Sequence, residues 1–96
     1  MKEKFLPIGT ILTLKGATKK VMVIGYLPIS QNNVMFDYSA CIFPEGVLDM
    51  NKTLAFNHDK IENIDFMGNK NEEFEKFNKN LINIRDTFTK IKNINV

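Results

Sequence analysis

Cysteine is nearly absent: Cys41 stands alone among 96 residues. No internal disulfide can form, so the staples that a small secreted fold uses in place of a large core are missing. That points to a reducing compartment, and the expected location is the cytoplasm. A long apolar run is missing too, since none approaches the roughly 18 residues that cross a bilayer. The start Met1-Lys2-Glu3-Lys4-Phe5-Leu6-Pro7 is basic like a signal peptide, but Gly9, Thr10 and Lys15 arrive before an apolar stretch develops. No contact with a membrane is expected. Nor is there an excess of one charge: the net value is +2, and residues through Gly68 carry seven Lys against seven acidic groups. A neutral module gives a polyanion little to hold, which disfavours nucleic acid.

Catalytic side chains are equally scarce. His58 and Cys41 are the only members of their types, no third orienting group is marked beside them, and no nucleophile signature surrounds the cysteine. Together they supply two of the four ligands of a structural zinc site, so neither a metal nor a cofactor is expected. Lys15-Gly16-Ala17-Thr18-Lys19-Lys20 combines glycine, lysine and threonine, but it lacks the paired glycines of a phosphate loop. It also leads into the apolar block Val21 to Ile24 rather than into a helix. A polar hairpin tip is the reading, and the protein is expected to bind rather than catalyse.

What the chain does contain is ordinary globular composition, 44% hydrophobic and 25% charged, at a length that supports one modest core and one domain, 1–96. Two textures divide it. From 5 to 68, short runs rich in Val, Ile, Phe and Tyr are punctuated by Gly, Pro and Asn, the pattern of strands and turns. Thr10 to Leu14 and Lys20 to Tyr26 read as a hairpin. A third strand alternates Phe36, Tyr38, Ala40 and Ile42, its core face, with Asp37, Ser39, Cys41 and Phe43. Thr53 to Phe56 and Ile64 to Phe66 follow, separated by one helical turn, Asn57 to Ile61, with Asn57 as its cap. The expectation is an α+β fold: a small SH3-like five-stranded antiparallel β-barrel or curled sheet, then one long C-terminal amphipathic helix.

That helix is expected over 69–93, where Gly and Pro are absent. Asn69 is its cap, with Glu72 three residues on as in a capping box and Glu73 and Glu75 toward the positive end of the dipole. Phe74, Phe77, Leu81, Ile84, Phe88 and Ile91 recur at spacings of three and four, a narrow seam that either docks on the chain's own strands or meets a partner helix or a second copy of the chain. Ile82 and Ile94 fall off the seam and are free to touch the sheet. If the seam carries a partner, replacing Phe77 and Leu81 with Asp removes that partner and leaves the strands folded.

Ordered segments across the chain resemble a family of small proteins from Gram-positive bacteria catalogued as the domain of unknown function numbered 4176. They are Leu6-Pro7-Ile8-Gly9, Leu14 through Gly25, Phe36-Asp37-Tyr38, Ala40 through Gly46, Phe56 through Ile61, and Ile64-Asp65-Phe66-Met67-Gly68. The resemblance runs from Leu6 to Phe74. Members of the family look to be encoded beside type VII secretion genes, near toxins with an LXG-type helical export domain and near small WXG-like helical proteins. What the resemblance implies is an accessory chaperone or targeting adaptor that binds the toxin's helical export domain. The alternatives are an immunity protein for the toxin's catalytic domain and an SH3-like nucleic-acid-binding regulator.

Overall fold

The computed structural model describes the backbone of residues 5–94 and the side chains of residues 5–90. Five strands, β1 (Ile11–Leu14), β2 (Val21–Tyr26), β3 (Tyr38–Ile42), β4 (Leu54–Phe56) and β5 (Ile61–Phe66), precede one helix, α1 (Glu72–Ile94). They form one antiparallel sheet in the order β4-β3-β2-β1-β5. Neighbours in sequence are neighbours in the sheet until β5 returns to β1, which requires the sheet to curl. Register shifts supply that curl: one in β2–β3 between Val23 and Gly25, and two in β1–β5. Each local bulge bends and twists its strand. β4 and β5 remain the two edges, joined by a single 3₁₀ turn, His58–Lys60. Of the two expected forms, it is therefore the curled, unclosed sheet that occurs.

The strand alternation places one apolar face inside. Leu12 lies opposite Val21, Val23 opposite Ala40, and Tyr38 opposite Phe56, and all six are buried. The hairpin between β1 and β2 closes where expected, with the Ala17 N–H donating to the Leu14 carbonyl and Gly16 at a φ of 77°. β3 begins at Tyr38 rather than Phe36. Asp37 and Cys41, assigned by alternation to the other face, are buried as well. Asp37 is held there by polar partners, and Cys41 lies in an interior strand opposite Met22.

Two caps differ from expectation. Asn57 makes no side-chain cap; its Oδ1 accepts the Asp37 N–H instead, and the Asp37 carboxylate accepts the His58 N–H at 2.8 Å. The turn is thus capped from across the chain, and Ile61 joins β5, which is twice as long as the run Ile64 to Phe66. At α1 the cap is Asn71, whose Oδ1 takes the Phe74 N–H at 2.8 Å. Asn69 lies two residues too early, so Glu72 occupies the first helical position. An unforeseen 3₁₀ turn, Met50–Lys52, is capped by Asp49 through the Asn51 N–H.

Between β5 and α1 the chain passes so close to the Ile8 carbonyl that a Cβ on Gly68 would collide with it, and the Gly68 N–H donates to Thr10 Oγ1. Only glycine allows that approach. It sets α1 beside the segment Phe5-Leu6-Pro7, which is buried although it belongs to no strand.

Candidate functional site

Docking of α1 is decided by Asn78, Leu81 and Arg85, which are buried while the residues around them are not. At about 3.6 residues per turn, these three share one stripe. Leu81 enters the core cluster with Phe5, Leu12 and Tyr38. Asn78 Oδ1 accepts the Phe5 N–H at 3.0 Å, and the Arg85 guanidinium lies 5.2 Å above the centre of the Phe5 ring, within cation–π range. The face that meets the sheet is therefore polar at two of its three central positions. Those polar atoms serve a segment more than seventy residues away in sequence.

The six seam residues consequently separate. Leu81 faces its own core at 4% exposure. Phe74 and Phe88 are half-buried at the margin, and Ile82, off the seam, packs against the core as a second contact. Phe77 and Ile84 turn outward, 47% and 55% exposed; Phe77 retains an edge contact with Tyr26, ring centres 5.9 Å apart. The side chains of Ile91 and Ile94 lie outside the described residues. Beside this shoulder stands Ile8, 51% exposed. Ile8, Phe74 and Phe77, with Asn69, Asn71, Glu73 and Asn80, line an open groove of about 580 Å³. Apolar walls rimmed by amides and one carboxylate suit a protein surface better than a charged small molecule.

Ile8 has no signal in the helical pattern, because its place beside Phe74 comes from the Gly68 crossing. Asn78 and Arg85 do leave a trace, two polar residues at i−3 and i+4 around Leu81, but an apolar-stripe reading passes over them.

Under α1, Phe5 meets Tyr26 and Tyr38 edge to face, with centres 5.8 and 5.7 Å away, and Tyr38 stacks on Phe56. The Leu6 N–H donates to Tyr38 Oη at 2.9 Å, the Tyr26 hydroxyl donates to the Leu6 carbonyl at 2.6 Å, and Tyr38 Oη also bonds His58 Nδ1 at 2.9 Å. Cys41 is three residues along β3 from Tyr38, so it projects from the opposite face; His58 is engaged with Tyr38, and the structure does not bring the two together. Among the described residues no group of three His, Cys, Asp or Glu side chains gathers as a metal would require. Two lysines of the β1–β2 tip are tied down, Lys19 to Glu45 at 2.7 Å and Lys20 to Asp65 at 3.0 Å. Hydrogen bonds from these lysines are the main reason both carboxyls lie below their usual range.

Burial pushes the Tyr26 phenol from 10.0 up to about 12, and Tyr38 is raised further by the same cause. Both keep their protons at neutral pH. The folded state holds these protons more tightly than the unfolded one, so their contribution is intact below pH 10 and is lost as pH rises through 10 to about 12. Thermal melts should accordingly show a flat midpoint from pH 7 to 9 and a steep fall above 10. Tyr26→Phe should make that fall shallower.

Among the described residues, Arg85 Nη1 is buried without a hydrogen-bond partner, and Nη2 reaches Asp86 at 3.5 Å. A buried cation so poorly compensated adds little net stability. Arg85→Met, which keeps the length of the side chain, should leave the folding free energy within about 1 kcal/mol of wild type or raise it. Urea unfolding measures this. A loss of about 3–5 kcal/mol would instead reveal a strong partner charge.

No described helix is long and apolar enough to cross a membrane. A family model described as a domain of unknown function, DUF4176, matches residues 5–77, which takes in the whole sheet and the first turns of α1 with Phe74 and Phe77. No curated protein and no solved structure matches the chain.

Proposed function

The chain belongs to the DUF4176 family, and from that premise we propose that it is an accessory chaperone or targeting adaptor, acting in the cytoplasm. Its client is a type VII-secreted toxin, bound through the LXG-type helical export domain. The carrying observation is the apolar shoulder of α1: Phe77 and Ile84, one heptad apart, stand about half exposed, and Phe77 lines the groove with Ile8 and Phe74. A helix that has already satisfied its own domain through Asn78, Leu81 and Arg85, yet leaves a second apolar row outside, has a surface suited to another amphipathic helix. The class of client comes from the family resemblance to proteins encoded beside secretion genes and helical toxins. Binding rather than catalysis is the activity that the shoulder supports.

The test is direct titration of the neighbouring toxin's isolated helical export domain, followed by calorimetry. Phe77→Asp and Ile84→Asp should each weaken binding about 100-fold, as expected for loss of an apolar anchor near the centre of an interface. Circular dichroism melts of both variants should stay close to wild type, because each side chain is already half in water. A double variant that binds with unchanged affinity would sink the proposal. Binding to the toxin's C-terminal catalytic domain alone would replace it with immunity.

A further inference from the structure

Phe5, Leu6 and Pro7 are core residues that belong to no strand, and they are held as a ligand is held. Their side chains are 8% exposed or less. Their backbone is read by side chains rather than by a ladder: Asn78 Oδ1 takes the Phe5 N–H, Tyr38 Oη takes the Leu6 N–H, and the Tyr26 hydroxyl donates to the Leu6 carbonyl. Phe5 is gripped between Tyr26, Tyr38 and the Arg85 guanidinium. The cleft between α1 and the sheet thus recognises an extended Phe-Leu-Pro segment by one face contact, two edge-to-face contacts and three hydrogen bonds. A single turn joins that segment to β1. The Thr10 N–H donates to the Pro7 carbonyl at 3.2 Å, and Gly9, third in the turn, has a φ of 87°, as a type II turn demands.

We propose that this cleft is a peptide-binding site occupied in cis, and that its second ligand is the Phe5-Leu6-Pro7 segment of another copy of the chain, exchanged about the Pro7–Thr10 turn. The two ligands are chemically identical, so every contact made in cis can be remade in trans. What differs between the states lies at the turn: its Thr10 to Pro7 bond opens, Gly9 becomes extended, and the Gly9 N–H to Val23 carbonyl bond and the Ile8 contact with Gly68 beside it must be re-formed. A short tether supplies an effective concentration in the millimolar range, which keeps the wild-type chain monomeric in dilute solution. Exchange appears when the turn is made unfavourable, the known route by which hinge changes produce swapped dimers. The inference is independent of the client reading, because it uses the inner face of α1 and not the shoulder.

Gly9→Val is the decisive variant of the full chain. A Cβ at Gly9 meets nothing within 4 Å, so the substitution acts chiefly through φ, where a β-branched residue is strongly disfavoured. Light scattering after size exclusion should show its dimer fraction rising at least tenfold over wild type. Adding Phe77→Asp should leave that dimer intact, and adding Phe5→Ala should abolish it. A Gly9→Val chain that stays monomeric, or a dimer lost with Phe77→Asp, overturns the proposal. Should Gly9→Val fail to fold, amide exchange in the wild-type chain decides. Phe5 and Leu6 amides exchanging at least tenfold faster than those of Val21 and Val23 support a detachable segment, and equal rates overturn it.

Discussion

Leu81→Asp should unfold the protein, whereas Phe77→Asp, one turn away on the same helix, should leave it folded. Leu81 is 4% exposed and packed among Phe5, Leu12 and Tyr38. Truncating a leucine in such a site costs about 2–5 kcal/mol through lost transfer energy and the cavity left behind. Aspartate adds a carboxylate that must be desolvated among Phe5, Leu12 and Tyr38 or take up a proton, and Arg85, one turn on along the same stripe, is the opposite charge within reach to offset part of that cost. The sum is comparable with the whole stability of a domain this size, about 5–15 kcal/mol. Phe77 is 47% exposed, and a carboxylate there remains in water. Far-ultraviolet circular dichroism and a one-dimensional proton spectrum distinguish the outcomes: dispersed methyl signals for Phe77→Asp, none for Leu81→Asp. A folded Leu81→Asp protein would mean that α1 detaches without consequence for the sheet. The same contrast governs any binding experiment, since a double Phe77 and Leu81 variant confounds loss of a partner with loss of the fold.

The second large effect is expected at Phe5. Phe5→Ala removes a ring that is 2% exposed, makes edge contacts with two tyrosines and lies beneath Arg85. Large aromatic truncations in cores cost about 3–5 kcal/mol, and here the guanidinium also loses its π partner while staying buried. For a domain of this length, that corresponds to a fall of roughly 15 °C or more in the thermal midpoint. Ile8→Ala, three residues on, should change stability by only about 0.5 kcal/mol or less, because Ile8 is 51% exposed. Equal melting curves for the two variants would contradict the placement of the N-terminal segment. The pair also isolates function: Ile8→Ala should weaken client binding at the shoulder without unfolding the chain.

Much of this molecule is visible in short-range pattern. Strand alternation identifies Tyr38 and Ala40 as the core face of β3 because a strand's side chains alternate wherever it lies; Phe36 and Ile42, expected on the same face, flank them half-buried. The hairpin at Gly16 follows from the same local chemistry, and the stretch without glycine or proline after Gly68 marks α1 within three residues of its start. Cap positions are less visible. Asn57, Asn69 and Asn71 are equivalent by residue type, and which of them caps depends on where Asp37 and the first helical turn come to rest.

The candidate site is legible only in part, for one reason. An apolar seam states which residues avoid water, but it does not state which of them their own domain will cover. Phe77, Leu81 and Ile84 are equivalent in the spacing, yet Leu81 is core while the other two face outward. The decision is made by Asn78 and Arg85, whose polar atoms are drawn inward by the Phe5 backbone and ring. That attraction acts between residues more than seventy positions apart, and a periodicity taken over neighbours cannot register it.

By itself, then, the amino-acid order determined the class of fold, the five strands, the single helix and the apolar stock available for contact. Local geometry sets all of these. Only the tertiary structure decided which edge of the helix remains exposed and what lies beneath it. Curling the sheet brings β5 back to β1, Gly68 then passes against Ile8, and the N-terminal segment wedges between sheet and helix. That wedge turns the polar stripe inward and leaves Phe77 and Ile84 half exposed on the outer side.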